Sequence, residues 1–242
     1  VSTWAAACRK PSDWGLSDAG YELPPLHVID HSVEVPLSVA QAQGSLFAAE
    51  AAGIQQQRSV RKATLEQRCG VAAEIARSAN EPVIVWTDLN TESELCTRLI
   101  GADAVEVTGN QSDDEKETRL TAFSTGNARV IVTKPRIGGW GLNWQHCGTQ
   151  AFVGRGNSYE ALFQCVRRSL RFGRKDPVTI HMIGTEADGR LLRLMNRKTA
   201  DADELMDELV AAVRRNGLVC REAKRDEWNY TPQQPVALPS WL

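Results

Sequence analysis

The sequence has no GxxxxGK[ST] run, so it holds no loop built to cradle the β- and γ-phosphates of a nucleoside triphosphate. An acidic strand-end pair for Mg²⁺ is missing as well, so any work on such a nucleotide falls to the chain as a partner surface. The six cysteines, Cys8, Cys69, Cys96, Cys147, Cys165 and Cys220, include no CxxC pair, and His27, His31, His146 and His181 have no ligand spacing around them. A metal framework and a disulfide scaffold are therefore set aside, and reduced, buried thiols in a cytoplasmic protein are expected. No apolar run approaches the length of a membrane span, and no secretory signal is evident, so no membrane partner is expected. A charge excess is lacking too: the formal net charge of −2 excludes a basic coat but not a local basic patch. The sequence opens on Val1 rather than Met, and either a larger parent protein or a trimmed chain is expected.

What is present is enough chain, 242 residues, to bury a sizeable core in one large domain with appendages. Residues 1–37 are rich in Pro and Trp and carry turn signals at Pro11-Ser12-Asp13, Asp18-Ala19-Gly20 and Pro24-Pro25, so they read as an irregular segment packing on the rest. A short strand over His27–Leu37 is the exception. Residues 38–80 read as a helical linker, two helices broken near Gly53-Ile54, with Arg58, Arg61, Lys62 and Arg68 on a solvated face. After Glu81-Pro82 strands and helices alternate through residue 216, in the manner of a parallel sheet. The strands are Val83–Thr87, Ala104–Thr108, Val130–Thr133, Gln150–Val153 and Val178–Ile183. The helices between are Glu92–Ile100 behind Thr91, and Ser112–Ser124 opened by a Ser112/Glu115 capping box. Two more helices follow over residues 186–216, and 217–242 form a tail. The fold class is thus α/β, a three-layer open and mostly parallel sheet with an N-terminal irregular and helical extension.

Two stretches carry chemistry. In SYEALFQCVRRSLRFGR, Ser158 is placed to cap a helix that Gly173 ends, with Tyr159, Leu162, Phe163, Val166 and Leu170 on one side. Gln164, Arg168 and Arg171 fall together on the opposite side, with Arg167 beside them, a face suited either to grasping an anion or simply to solvent. From Arg155 to Lys175 there are six Lys/Arg against one Glu, which makes this the local basic patch. The second stretch is VTKPRIGGWGLNW, whose Gly138, Gly139 and Gly141 allow tight turns or close approach of a ligand to backbone amides. It follows a strand, at the end of a parallel sheet where ligands bind. Trp86, Trp140 and Trp144 flank these stretches and either stack on a base or pack the loop against the sheet. Arg190, Arg193, Arg197 and Lys198 either touch nucleic acid or pair with the acidic run Asp201–Glu208.

Taken in order, VIVWTDLNTESELCTRLI, GNQSDDEKETRLTAFSTGNARVIVTKPRIGGWGLNW and SYEALFQCVRRSLRFGRKDPVTIHMI resemble the C-terminal RecA-like lobe of superfamily 2 helicases. The correspondence is to motif IV at Val83–Thr87, motif V at Thr133–Asn143 and motif VI at Gln164–Arg174. Within that superfamily the GGxGLN loop and the QxxxRxxRxG segment are similar to chromatin-remodelling ATPases and to phage-type DEAD/DEAH helicases. RKPSD and FVGRGNSYEALFQ are most like the phage group.

The resemblance implies a P-loop-NTPase-like second lobe over 81–216, half of an ATP hydrolase and inactive alone, in a helicase or translocase. ATP and Mg²⁺ would be shared with an N-terminal RecA-like lobe of the same parent, which is one partner. The other is DNA, with RNA as the alternative. Arg168 and Arg171 would act as arginine fingers with Gln164, and Gly139, Gly141 and Asn143 would serve the nucleotide. Thr87, Thr133 and Lys134 would touch the sugar-phosphate backbone. Arg174 departs from the pattern, standing where these families usually have Gln. A non-catalytic RecA-like module that binds nucleic acid or protein is the alternative.

Overall fold

The computed structural model describes residues 8–36, 54–139, 141–154, 158–185 and 188–216. The expected helix before Gly53, Trp140, the loop from Arg155 to Asn157, Cys220 and the tail over 217–242 lie outside the described residues. So do the side chains of Arg190, Arg193 and Lys198.

Short runs of β-branched residues form the centre of a sheet. Strand β1 spans Leu26–Val33, β2 Val83–Thr87, β3 Ala104–Val107, β4 Val130–Thr133, β5 Thr149–Val153 and β6 Val178–Thr185. Their order is β1-β6-β5-β2-β4-β3, and every pairing is parallel. Of the four inner strands, β5, β2 and β4 are buried at every residue, as a parallel sheet covered on both faces requires.

The helices are α1 Ile54–Ala63, α2 Leu65–Ser78, α3 Asn90–Ile100, α4 Asp113–Ser124, the single turn α5 Pro135–Gly138, α6 Tyr159–Val166 and α7 Gly189–Asn216. Side chains alternate across the sheet and build two cores. On one face Val83, Val85, Val130, Val132, Ala151, Val153 and Ile183 meet Cys69, Ala72, Ala73 and Ala76 of α2 and Cys96 and Ile100 of α3. On the other, Ile84, Trp86, Ile131, Phe152 and Ile180 meet Phe123 of α4, Cys165 of α6, Trp144 and Leu170. The result is the expected three-layer α/β open sheet.

Several boundaries differ from the sequence reading, each for a tertiary reason. The sheet starts well before Glu81, because β1 runs beside β6 over its whole length, from Leu26 against Val178 to Val33 against Thr185. Helix α2 is no linker: Cys69, Ala72, Ala73 and Ala76, at helical spacing, are fully buried in one layer of the fold. The break between α1 and α2 falls at Thr64, whose hydroxyl donates to the Val60 carbonyl at 2.8 Å. Helix α3 begins at Asn90, and Thr91 does not cap it. Instead the Glu92 carboxylate accepts from the Asp88 and Leu89 amides, both at 3.1 Å. The expected caps at Ser112 and Ser158 do form. Residues 189–216 make one helix of 28 residues rather than two, with Arg197 paired to Asp201 at 3.8 Å on an exposed face.

Ser17–Glu204, which contains the sheet, is one compact unit, and the residues through Leu16 and from Leu205 form another. Within the smaller unit Asp13 organises the RKPSD segment. Its carboxylate accepts from the Arg9 amide at 2.7 Å and the Lys10 amide at 3.2 Å, and Arg214 of α7 donates to the Asp13 and Ser12 carbonyls at 2.9 Å each. The Arg9 amide holds the Asp13 carboxyl below its ordinary range.

Candidate functional site

The carboxyl ends of β2 and β4 are neighbours, with Trp86 in register with Thr133. The side chains expected there to meet a nucleic-acid backbone divide into two groups. Thr87 and Thr133 are buried; the Thr87 hydroxyl donates to the Thr133 carbonyl at 3.5 Å and the Thr133 hydroxyl to the Val107 carbonyl at 3.1 Å. Their protons are spent inside the sheet, so they tie strand ends together rather than point outward. Lys134, one residue on, is half-buried, and its ammonium donates to the Asn90 side-chain oxygen. The loops after β2 and β4 are thereby joined at the end of the sheet.

The loop after β4 turns at once into α5, and its glycines serve packing before anything else. A Cβ on Gly139 would stand 2.2 Å from the Pro135 carbonyl oxygen, so only a glycine lets the turn of α5 close on itself, and the Cys165 sulfur of α6 lies at contact distance, 3.4 Å. Gly141, at φ 74°, takes a left-handed turn at an exposed position, and Asn143 is exposed two residues on. Trp144 then plunges into the core. It meets Phe123 edge-on at 5.3 Å, and its indole N–H donates to the Ser124 hydroxyl at 3.0 Å. Trp86 is buried too, its N–H donating to the Gln150 side chain at 2.8 Å. Of the alternatives left open for these indoles, packing is therefore the one the structure takes.

The basic segment does not run as one helix from Ser158 to Gly173. Helix α6 stops at Val166, and the next residues tighten into turns: the Arg168 amide bonds the Cys165 carbonyl at 3.0 Å and the Ser169 amide the Val166 carbonyl at 3.2 Å. A polar residue of the sheet causes this. Gln150, fully buried on β5, donates to the Val166 carbonyl at 3.3 Å and the Ser169 hydroxyl at 2.9 Å, drawing the chain inward. Leu162, Val166 and Leu170 pack into the core on the expected side. Cys165 is the fully buried residue of α6, whereas Phe163 is exposed, with Tyr159 beside it and the Arg167 guanidinium 5.0 Å over its ring.

Arg168 turns in and Arg171 stays out. Arg168 is 6% exposed; its guanidinium donates to the Leu142 carbonyl at 2.7 Å, the Gln164 carbonyl at 3.0 Å and the Gln164 side chain at 3.4 Å. The Trp144 amide returns a bond to the Arg168 carbonyl at 3.0 Å. The loop bearing Gly141 and Asn143 and the turn bearing the arginines are thus stitched together around Asn143. Burial, and then the charge of Arg171, push the Arg168 guanidinium below its ordinary value. Arg171 is half-buried and makes no side-chain hydrogen bond or ion pair among the described residues.

Arg174 is a brace. It donates to the Asp176 carbonyl at 2.9 Å and to the Gln145 carbonyl, and stands 3.6 Å from Glu81, which in turn accepts from Thr149 at 2.6 Å. Its charge is spent at the amino-terminal end of β5. Sequence reasoning also missed Gln150 and Arg68. A charged residue inside a helical pattern reads as solvated, and nothing local tells that Arg68 is only 1% exposed. Cys147 and Cys165 have thiols pushed up to about 12 by burial, and no cluster of metal-ligating side chains occurs among the described residues.

No family model matches the sequence, and no curated protein matches it. Solved structures do. The C-terminal part of the Fun30 ATPase domain superposes with a TM-score of 0.51 at 10% identity, over 79% of this chain and 97% of that one. The RNA helicase Prp28 from Chaetomium thermophilum, bound to ADP, gives 0.50 at 17% identity over 74% of this chain. The fold is that of a RecA-like helicase C-terminal domain. The C-terminal domain of the DEAD-box protein Dbp5 also matches, at 0.48 and 17% identity over 62% of this chain and 91% of that one. The match covers 37% of the Prp28 chain, and at these identities the likeness is one of fold. No helix among the described residues is long and apolar enough to cross a membrane.

Proposed function

We propose that this RecA-like chain is the second lobe of an ATP-driven nucleic-acid helicase or translocase, related to the phage-type helicases and chromatin-remodelling ATPases. The observation that carries the reading is uncompensated positive charge. Arg167, Arg168 and Arg171 lie within five residues, and none has a carboxylate partner among the described residues. A buried guanidinium beside a like charge is costly, and an arriving anion offsets that cost. These residues fit one side of a triphosphate, its outer charge, while the phosphate loop and Mg²⁺ ligands belong to a first lobe of the same parent. ATP bound there would supply the phosphoryl group, and Mg²⁺ held by that first lobe would offset the charge of its oxygens.

Arg171 is the finger of this reading. Its guanidinium is not committed to the protein and is free to meet charge that develops on a γ-phosphoryl group, a contribution of ~10³–10⁵ in rate, or roughly 4–7 kcal/mol. Arg168 holds the junction, so that exposed Gly141 and Asn143 stand beside the arginine turn, with Gly139 closing the turn of α5. Lys134 makes the phosphate contact at the strand ends, which are set by Thr87 and Thr133. DNA is the proposed strand. The test is fluorescence anisotropy with single-stranded DNA and RNA oligonucleotides, and ATP turnover by the purified chain. The reading expects weak, sequence-tolerant binding that falls steeply from about 50 to 200 mM salt, and no turnover above background. Robust ATP hydrolysis by this chain alone, or tight binding indifferent to salt, contradicts it.

A further inference from the structure

The loop after β2, Asp88 to Asn90, is held at every residue. Behind it lies an ion pair removed from water: Arg68 on α2 is 1% exposed, Glu92 on α3 is 0% exposed, and Nη1 stands 2.7 Å from Oε1. The second carboxylate oxygen of Glu92 accepts the Asp88 and Leu89 amides at 3.1 Å. Arg61 on α1 donates to the Asp88 carboxylate at 2.8 Å and stands 3.7 Å from Glu92. Asn90 takes the Lys134 ammonium on its side-chain oxygen. Arg68 also donates to the Arg61 carbonyl at 2.8 Å, the Thr64 hydroxyl at 3.2 Å and the Val153 carbonyl, the last of β5, at 3.3 Å. Gly154, at φ 99°, completes the enclosure: a Cβ there would come within 2.7 Å of the Arg61 guanidinium and 3.2 Å of that of Arg68.

A buried ion pair contributes little net stability over an apolar pair of the same size, yet it fixes geometry when every lone pair and proton is satisfied. Here every nitrogen of Arg68 and both carboxylate oxygens of Glu92 are bonded, and the pair touches the ends of two adjacent strands, β5 and β2. We infer that Arg68 and Glu92 are positioning residues: through the Asp88 and Leu89 amides and then Asn90, they fix where the Lys134 ammonium stands for a nucleic-acid phosphate. The inference rests on the reading that the strand ends meet nucleic acid. In this scheme Lys134 makes the contact, and Arg68 and Glu92 act only through the loop.

The experiment measures single-stranded DNA binding by the whole chain as a function of salt, together with amide exchange of Asp88 and Leu89 by NMR. Four proteins are compared: the parent, Lys134→Ala, Asn90→Ala, and the double variant Arg68→Met/Glu92→Leu, which removes both charges at similar volume. Lys134→Ala removes a phosphate contact, so the slope of log affinity against log salt falls by about 0.7. Asn90→Ala and the double variant keep that contact but misplace it. They lower affinity about threefold or more, leave the slope near the parent's, and in the double variant expose the Asp88 and Leu89 amides to exchange. Asn90 is exposed, so Asn90→Ala carries the test if the double variant does not fold. Parental affinity in Asn90→Ala, or parental affinity or amide protection in a folded double variant, overturns the positioning role alone. A parent that binds no DNA overturns the strand-end reading and the positioning role with it.

Discussion

Replacing Arg168 by alanine tests whether the junction between the loop after β4 and the turn after α6 is held as described. The guanidinium donates to two carbonyls, Leu142 and Gln164, at 2.7 and 3.0 Å, and more weakly to the Gln164 side chain at 3.4 Å. Each satisfied hydrogen bond is worth ~0.5–1.5 kcal/mol net, and a buried acceptor left bare costs ~1–3 kcal/mol. With two good bonds lost and the Leu142 carbonyl the most exposed to that penalty, Arg168→Ala should destabilise the chain by about 2–4 kcal/mol. Arg171→Ala, which breaks no side-chain bond among the described residues, should stay within about 0.5 kcal/mol of the parent. The assay is urea unfolding followed by tryptophan fluorescence, since Trp86 and Trp144 are buried and Trp144 bonds the Arg168 carbonyl. Arg168→Lys reaches one carbonyl at most and should fall between the two. If Arg168→Ala unfolds at the parental urea midpoint, the stitch around Asn143 does not stabilise the fold, and the division of labour between the two arginines fails.

Acid should weaken the fold below neutrality. Burial holds the His146 and His181 imidazoles below their ordinary value of 6.5, so the unfolded chain takes up protons first as pH falls. Their contribution is fully present above pH 6.5 and is lost as pH drops through the folded values; a urea midpoint that rises between pH 7.5 and 5 refutes this. Thiol chemistry gives a separate check. Cys69, Cys96, Cys147 and Cys165 are buried, so in the native chain at pH 8 they should not react with a thiol-disulfide reagent, whereas exposed Cys8 should react at once. Mass spectrometry that finds rapid modification at Cys147 or Cys165 contradicts the packing described around β5 and α6.

The inner strands were legible because runs such as VIVWT and VIVT have one reading, a strand covered on both faces, and their ends came out within a residue. So were the caps at Ser112 and Ser158, which depend on neighbours three residues away. What escaped the sequence depends on partners far along the chain. Helical periodicity put Leu162, Val166 and Leu170 inside, where they are, but also put Arg168 outside; Gln150, fully buried on β5, bonds Val166 and Ser169 where the helix ends, and Arg168 turns in. Arg68 reads as one more surface charge until Glu92, 24 residues on, meets it in the core. Strand β1 was visible as a strand but not as part of this sheet, since its partner β6 lies some 150 residues away. The hydroxyls of Thr87 and Thr133 looked available because they end strands, yet neighbouring carbonyls had already claimed them.

The central claim is that Arg171 completes a nucleotide site housed mainly on another lobe. The most direct measurement is steady-state ATP turnover, with saturating single-stranded DNA, by this chain joined to the RecA-like lobe that carries its phosphate loop. Arg171→Ala should lower kcat by ~10³-fold or more with little change in KM and parental stability, and Arg171→Lys should restore little of it, because a flexible point charge does not reproduce the planar fork. Parental kcat in Arg171→Ala would contradict the claim.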